Sequence, residues 1–476
     1  MSTGTVAIAG LEGGLVTVSE EDLQALADRV GGPLLRPGDA GWDDAVLIWN
    51  GMAAKVPAAV LQPGSAAGVV EAVRFAAERG LLLSIKGGGH NIAGTSMAAD
   101  GLTLDMSRMR NVDVDAAGRR AHVGAGCLIA DVDLATQEHG LAAVLGFVSL
   151  TGVAGLTLGG GFGYLTRRFG WTVDNLEEVE IVTADGEIRV ANATENAELF
   201  WALRGGGGNF GVATRFTFNL YEVGPQVTGG LILWDGARAA EVQAAYRALT
   251  ESAPRELTAV LTIRLAPPAP FVPPEWHGKP IVGMVICYSG DDAATDLAPI
   301  RALGDPIVDL ITEKPYAAQQ SMLDATQPKG AHYYWKTEFI PELSAEYEET
   351  FRAAALQVTS PMAQSIIFHL AGALNERADN DGAMGNRRAA YVTGFAGAWP
   401  ANDPRGPAHV AWVRESWETI RGFSTGNYVN FQVADDDTDR TAAAYGTNLE
   451  HLQRVKADVD PQNLFRVNRN VIQPTG

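Results

Sequence analysis

Two rhythms of hydrophobic and polar positions run through the first half of the chain. Residues 66–79 carry apolar side chains at helical spacing, with Ser65 in front as a cap and Gly80 behind as a stop. A short apolar strand over 81–86 follows and runs into Gly87-Gly88-Gly89-His90. Further strands are predicted at 101–105 and 120–124. A helix is expected over 128–139, closed by Gly140, ahead of a glycine-dense stretch at 146–163. Residues 178–190 read as a hairpin, two apolar strands around Ala184-Asp185-Gly186. A helix over 195–203 leads into Gly205–Gly208 and then a strand over 212–223.

The pattern changes near Gly224-Pro225. Glycine becomes sparse, and strands at 230–234, 258–265, 281–288 and 389–395 alternate with longer helices. Residues 258–265 partly alternate apolar with polar, as a strand buried on one face does. A proline-rich loop, 267–280, lies among them. The reading is an α+β protein of two parts. Residues 1–225 plus 425–476 form one, and residues 226–424 are inserted as a second part built on a large antiparallel sheet. No internal repeat interrupts this plan.

Composition narrows the functions available. The 476 residues include 36 basic and 56 acidic ones, a net charge of −20, without a cluster of Lys and Arg; nucleic acid is not an expected partner. No apolar run reaches the ~20 residues of a membrane helix. Residues 1–14 lack the basic-then-apolar pattern of a signal peptide, so a cytoplasmic location is expected. Two cysteines, Cys127 and Cys287, cannot build a disulfide framework. Cys287 falls in an apolar strand. Cys127 stands just before a helix, and a helix N-terminus favours a thiolate. The scattered histidines lack metal-ligand spacing, so no metal is expected.

Two segments have the spelling of a phosphate-binding loop. Gly206-Gly207-Gly208-Asn209-Phe210-Gly211 matches G-x-G-x-x-G, but a helix precedes it and a strand follows, the reverse of a nicotinamide-binding turn. The segment from Lys86 through Gly87, Gly88, Gly89, His90, Asn91 and Ile92 to Thr95 and Ser96 is different. Its glycines follow a strand and let backbone N–H groups approach an anion such as a pyrophosphate. An ordinary tight turn has the same local spelling.

A wider set of motifs bears on that choice. The 86–96 segment resembles the FAD pyrophosphate loop of the berberine-bridge-enzyme-like oxidases, in the vanillyl-alcohol-oxidase and p-cresol-methylhydroxylase (PCMH) superfamily. The likeness continues through Gly124-Ala125-Gly126-Cys127, Thr157–Tyr164, Asp174-Asn175, Ala202–Gly211, Tyr428-Val429-Asn430 and Asp460–Phe465, and spans roughly residues 20–474. It implies a PCMH-type FAD-binding part, 1–225 plus 425–476, and a substrate-binding part, 226–424. It implies FAD bonded twice, through His90 to the 8α-carbon and through Cys127 to flavin carbon 6. It places Met106, Gly126, Thr151, Gly152, Gly155, Gly159, Gly160, Gly161, Tyr164, Val182, Asn430, Asn468 and Asn470 around the cofactor. Lys86 and Gly87 replace a common Arg-Ser, and Leu156 stands where many plant members have histidine.

The activity implied is removal of a hydride from an alcohol or lactol carbon of a sugar, glycoside or secondary metabolite to flavin N5. Oxygen is expected as acceptor, giving hydrogen peroxide, with Tyr428 as base. Tyr428 and Asn430 are expected on one strand face. Oxidation of an amine, ring closure on a secondary metabolite, a dehydrogenase with another acceptor, and a non-enzymatic carbohydrate-binding relic are the alternatives. Tyr334, Trp335 and Tyr391 are the candidates to touch substrate.

Overall fold

The helix Ala66–Arg79 starts and stops where its caps dictate. Ser65 Oγ accepts from Gly68 N at 3.2 Å, and Gly80 ends it in the left-handed region at φ 59°. Its buried stripe, Val69, Ala72, Val73 and Ala76, packs on a sheet whose strands Ala59–Leu61, Leu102–Asp105 and Leu83–Lys86 run parallel. The computed structural model describes residues 4–472. Residues 1–3 and 473–476, the two ends of the expected FAD-binding part, lie outside the described residues.

A second sheet carries the predicted hairpin. Leu176–Val182 pairs antiparallel with Ile188–Asn192 on one side and Val212–Asn219 on the other, followed by Arg120–Gly124 and Val112–Asp115. The helix Ala197–Leu203 does precede the 206–211 glycines, and the strand Val212–Asn219 does follow them, so the order read from the sequence holds.

From residue 226 onward the chain builds one antiparallel sheet of eight strands among the described residues. Gln226–Asp235, Pro280–Tyr288, Leu257–Leu265, Gln364–His369, Tyr391–Trp399 and His332–Ile340 lie side by side in that order. Side chains alternate between its faces. Leu257, Ala259, Leu261 and Ile263 point to the helices Ala239–Ser252, Ala345–Ala355 and Gly406–Ile420 and join a core with Trp234, Tyr246 and Phe395. Burying one such aliphatic side chain contributes about 1.5–3 kcal/mol. The intervening positions, Val260, Thr262 and Arg264, face the other way, toward the two sheets of the first part.

The chain returns after residue 424. Helix Leu449–Val459 is tied to the loop behind it by Lys456, whose Nζ donates to Asp460 Oδ2 at 2.6 Å, Asn209 O at 2.8 Å and Phe465 O at 3.0 Å. The 460–465 motif is thus a structural clasp. No helix among the described residues is long and apolar enough to cross a membrane, and none of their His, Cys, Asp and Glu side chains form a metal-binding group of three.

Two local expectations change. The segment with Tyr428 is no strand: Val429–Phe431 is a 3₁₀ turn that Tyr428 precedes. The helix expected over 128–139 is Ile129–Gln137 with Leu128 as cap, which puts Cys127 before the cap and outside the helix.

Candidate active site

A cavity of about 850 Å³ opens between the eight-stranded sheet and the FAD-binding sheets. The glycine loop forms one wall. At Gly88 an added Cβ would sit 2.4 Å from Gly152 N, and at Gly152 one would sit 2.3 Å from Gly88 N. Two backbones therefore touch where a side chain on either would part them, which brings the loop against the start of helix Val153–Leu158. Asn91 Oδ1 fixes the turn beyond by accepting from Ala93 N at 3.0 Å and Thr95 N at 3.3 Å.

His90 is half-buried in this wall. Its imidazole stacks on Trp49 at 4.5 Å and 12°, and Trp49 stacks in turn on Tyr333 at 3.9 Å and 19°. Asn50 ties the layers together: Nδ2 donates to Ile92 O at 2.6 Å and Tyr333 O at 3.0 Å, and Oδ1 accepts from Tyr333 N at 3.0 Å. Burial, with the Lys329 charge adding to it, pushes the imidazole down to about 4, so the ring is neutral and nucleophilic at neutral pH. Its Nε2 is buried without a hydrogen-bond partner.

Those orphaned atoms and the glycine cradle fit FAD. Ser96 Oγ and Asn468 Oδ1 are likewise buried and unpartnered while their residues line the cavity. The wall also takes in Gly87, Gly88, Gly89, Asn91, Ile92, Thr95, Met106, Thr151, Gly152, Gly155 and Asn430, as the resemblance implies. Gly207, Gly208, Asn209 and Gly211 line it too, although their motif is no nicotinamide turn. The reversed helix–strand order hid them.

Cys127 is a correction. It lines no part of the cavity; its Sγ donates to Asn111 O at 3.3 Å, and Gly126 presses on Met106 O behind it. The helix terminus does not favour this thiolate, for a local reason. Asp131 already caps that terminus, accepting from Leu128 N at 2.8 Å. Burial, reinforced by the Asp131 charge, pushes the thiol up to about 12. Cys127 is a buried small residue, and so is Cys287.

Several other assignments move off the cavity. Lys86 Nζ is spent on Ala45 O at 2.7 Å and Asp105 Oδ2 at 3.3 Å. Tyr164 is packed against Phe147, and Val182 sits behind Gly211. Asn470 does not line the cavity. Gly159, Gly160 and Gly161 back onto Asn430, Met384 and Tyr428 without reaching it. Of the three substrate candidates only Trp335 lines the cavity. Tyr334 turns to the opposite sheet face, where its hydroxyl donates to Asp435 Oδ2 and accepts from Arg414 Nε, each at 2.8 Å. Tyr391 is hydrogen-bonded to Thr250 Oγ1 at 2.8 Å on that same face.

Tyr428 stands opposite the sheet. Its phenol oxygen accepts from Gly161 N at 3.0 Å and from Asn430 Nδ2 at 2.9 Å. Burial outweighs these two donors and raises the phenol well above its ordinary value. Two cations that could stabilise a phenolate are engaged elsewhere: Lys336 pairs with Asp436, and Arg469 donates to Gln432 O at 2.6 Å. Phe162 bridges from Tyr428, at 5.0 Å, to Phe368 of the sheet, at 5.2 Å.

Comparison with known proteins agrees with the geometry. Residues 57–192 match a family described as FAD binding domain, and residues 427–472 one described as berberine and berberine like. An FAD-linked oxidoreductase of Dictyostelium discoideum is 32% identical over 429 residues, 89% of this chain and 90% of that protein. The chain belongs to the berberine-bridge-enzyme-like FAD-linked oxidoreductases. It is therefore an FAD-linked oxidoreductase of PCMH-type fold. The crystal structure of 6-hydroxy-D-nicotine oxidase from Arthrobacter nicotinovorans superposes with a TM-score of 0.79 at 26% identity, covering 92% of this chain and 97% of that one. Glucooligosaccharide oxidase from Acremonium strictum, named for its 6-S-cysteinyl, 8α-N1-histidyl FAD, shares the fold at a TM-score of 0.81 and 24% identity, over 95% of this chain and 98% of that one.

Proposed function

We propose that this oxidoreductase carries FAD on His90 alone and oxidises a hydroxyl-bearing carbon of an apolar or aromatic small molecule. When bound, FAD supplies the hydride acceptor. His90 offers a neutral, unpartnered Nε2 at the cavity wall, held in orientation by the Trp49 stack. Cys127 is turned away, so the single-link reading replaces the double one.

One observation carries the substrate reading. The sheet face over the cavity presents Leu231, Leu233, Val260, Val285, Ile366 and Phe368. A sugar buried there would leave hydroxyls unpaired at a cost of about 1–3 kcal/mol each, whereas an apolar ring or chain gains from burial. Tyr428, opposite, takes the hydroxyl proton. It does so as a phenolate, the form that the two N–H donors on its oxygen stabilise, and becomes the phenol.

Amine oxidation is the second reading, favoured by the raised Tyr428, since an amine does not strictly need a base. Among the described residues no Asp or Glu lines the cavity to pair with a protonated amine, which favours the alcohol. Molecular oxygen is the proposed acceptor, reaching the ring past Thr151. The test is a panel of apolar alcohols, apolar amines and oligosaccharides, followed by anaerobic bleaching of flavin absorbance. Bleaching by the alcohols supports the proposal, and bleaching by oligosaccharides alone overturns it.

A further inference from the structure

The cavity's charge is opposite in sign to the protein's. The chain carries a net charge of −20, yet among the described residues the cavity lining includes no Asp, Glu or Lys, and its two permanent cations are Arg264 and Arg469. Arg469 lies beside Asn468 and Gly208 on the FAD-binding side. Arg264 belongs to the sheet, on the substrate side, and the redox chemistry makes no use of it.

Arg264 is partly buried, and no carboxylate among the described residues lies in ion-pair distance of it. Its Nη2 donates to Pro361 O at 2.9 Å and its Nε to Leu265 O at 3.4 Å, leaving Nη1 without a partner among the described residues. Burial pushes the guanidinium down to about 10, with no acid acting to hold it up. It remains a full cation at neutral pH. Directly across the ladder stands Gln364, whose Oε1 accepts from Thr262 Oγ1 at 3.3 Å. That bond leaves the Gln364 amide NH₂ as a further donor beside the guanidinium. A cation and an amide donor at the rim of an otherwise aliphatic face make a ready seat for an oxyanion.

Register gives the distance. Val260 pairs with Phe368, and Arg264 with Gln364. Four residues along a strand span roughly 13 Å. The Phe368 row contacts Phe162, which contacts Tyr428, so the reacting end lies there. The Arg264 row lies outward, toward the exposed Phe271 and Pro361.

We propose that Arg264 and Gln364 bind a carboxylate of the substrate, so that the natural substrate is an elongated apolar acid, oxidised at the end remote from its carboxylate. This rests on the apolar-substrate reading above and adds the anionic group and its separation from the oxidised carbon.

The test uses holoenzyme and two probes of matching length, 8-phenyloctanoate and 8-phenyloctan-1-ol, with binding read from the perturbed flavin spectrum and by calorimetry. The acid is expected to bind at least about tenfold more tightly than the alcohol, as a charge-assisted contact requires. That preference should shrink with added sodium chloride. In Arg264→Gln it should vanish while alcohol affinity stays, and Arg264→Lys should retain part of it. Equal affinities in the parent, or a preference that survives Arg264→Gln, overturn this inference and leave the apolar-cavity reading standing. If neither probe binds, both fall.

Discussion

Asn430 Nδ2 donates to the Tyr428 hydroxyl oxygen at 2.9 Å, and the same oxygen accepts from Gly161 N at 3.0 Å. Two donors already in place favour the phenolate, the form that would act as base. Tyr428→Phe should therefore slow anaerobic flavin reduction by roughly 10²–10⁴-fold. Substrate affinity should change little. Stopped-flow reduction at saturating substrate checks this; an unchanged rate removes Tyr428 as the base.

The pH dependence follows from the same environment. Burial raises the Tyr428 phenol above its ordinary value, and the deprotonated form is the active one. Flavin reduction should then climb as pH rises through neutral and on past pH ~9, since an unperturbed phenol titrates near ~10. A plateau reached by pH 7 would assign the base to another group.

The glycine loop is a matter of contact between backbones. Gly88→Ala places a methyl 2.4 Å from Gly152 N. The expected outcome is folded protein with little bound FAD, measured as the ratio of flavin to protein absorbance after purification. Full flavin content would mean that the loop does not cradle the cofactor.

This loop was legible in the sequence because its chemistry is contiguous: strand, three glycines, histidine. The sheet face was not. Thr262 meets Gln364, and Val260 meets Phe368, across about a hundred residues of chain, and a register of that range has no local spelling. Tyr334 and Trp335 are neighbours in sequence and point to opposite faces, and only the sheet's packing decides which meets the cavity. Cys127 illustrates the converse. Its short motif is local, but its fate depends on Asn111 and Asp131, which the motif does not contain. Tyr428 and Asn430 do present their side chains together, by a 3₁₀ turn and not by strand alternation.

Asp133 gives a prediction about stability. It is buried, accepts from Gln320 Nε2 at 3.0 Å, and has its other oxygen unpartnered; burial pushes it up to about 7. An acid whose folded value lies above its unfolded ~3.9 favours folding while protonated and opposes it once ionised. The parent should lose thermal stability relative to Asp133→Asn as pH rises from ~4 to about 7, with little further loss above that. Equal pH slopes for the two melting temperatures would contradict this.

Thr151 N donates to Val148 O at 3.1 Å at the cavity wall, and the Thr151 side chain is proposed to leave room for oxygen. Thr151→Leu should leave anaerobic reduction intact and slow reoxidation in air. The check is double-mixing stopped-flow, with peroxide assayed against turnover. Equal reoxidation rates would place the oxygen path elsewhere.

The flavin is proposed to hang from His90 while Cys127 stays a free thiol. Acid denaturation, proteolysis and mass mapping of the peptides test it directly. The predicted result is a flavin adduct on the peptide bearing His90, an alkylatable Cys127, and complete release of FAD on denaturing His90→Ala. Flavin on the Cys127 peptide, or release of all flavin from the parent, would contradict it.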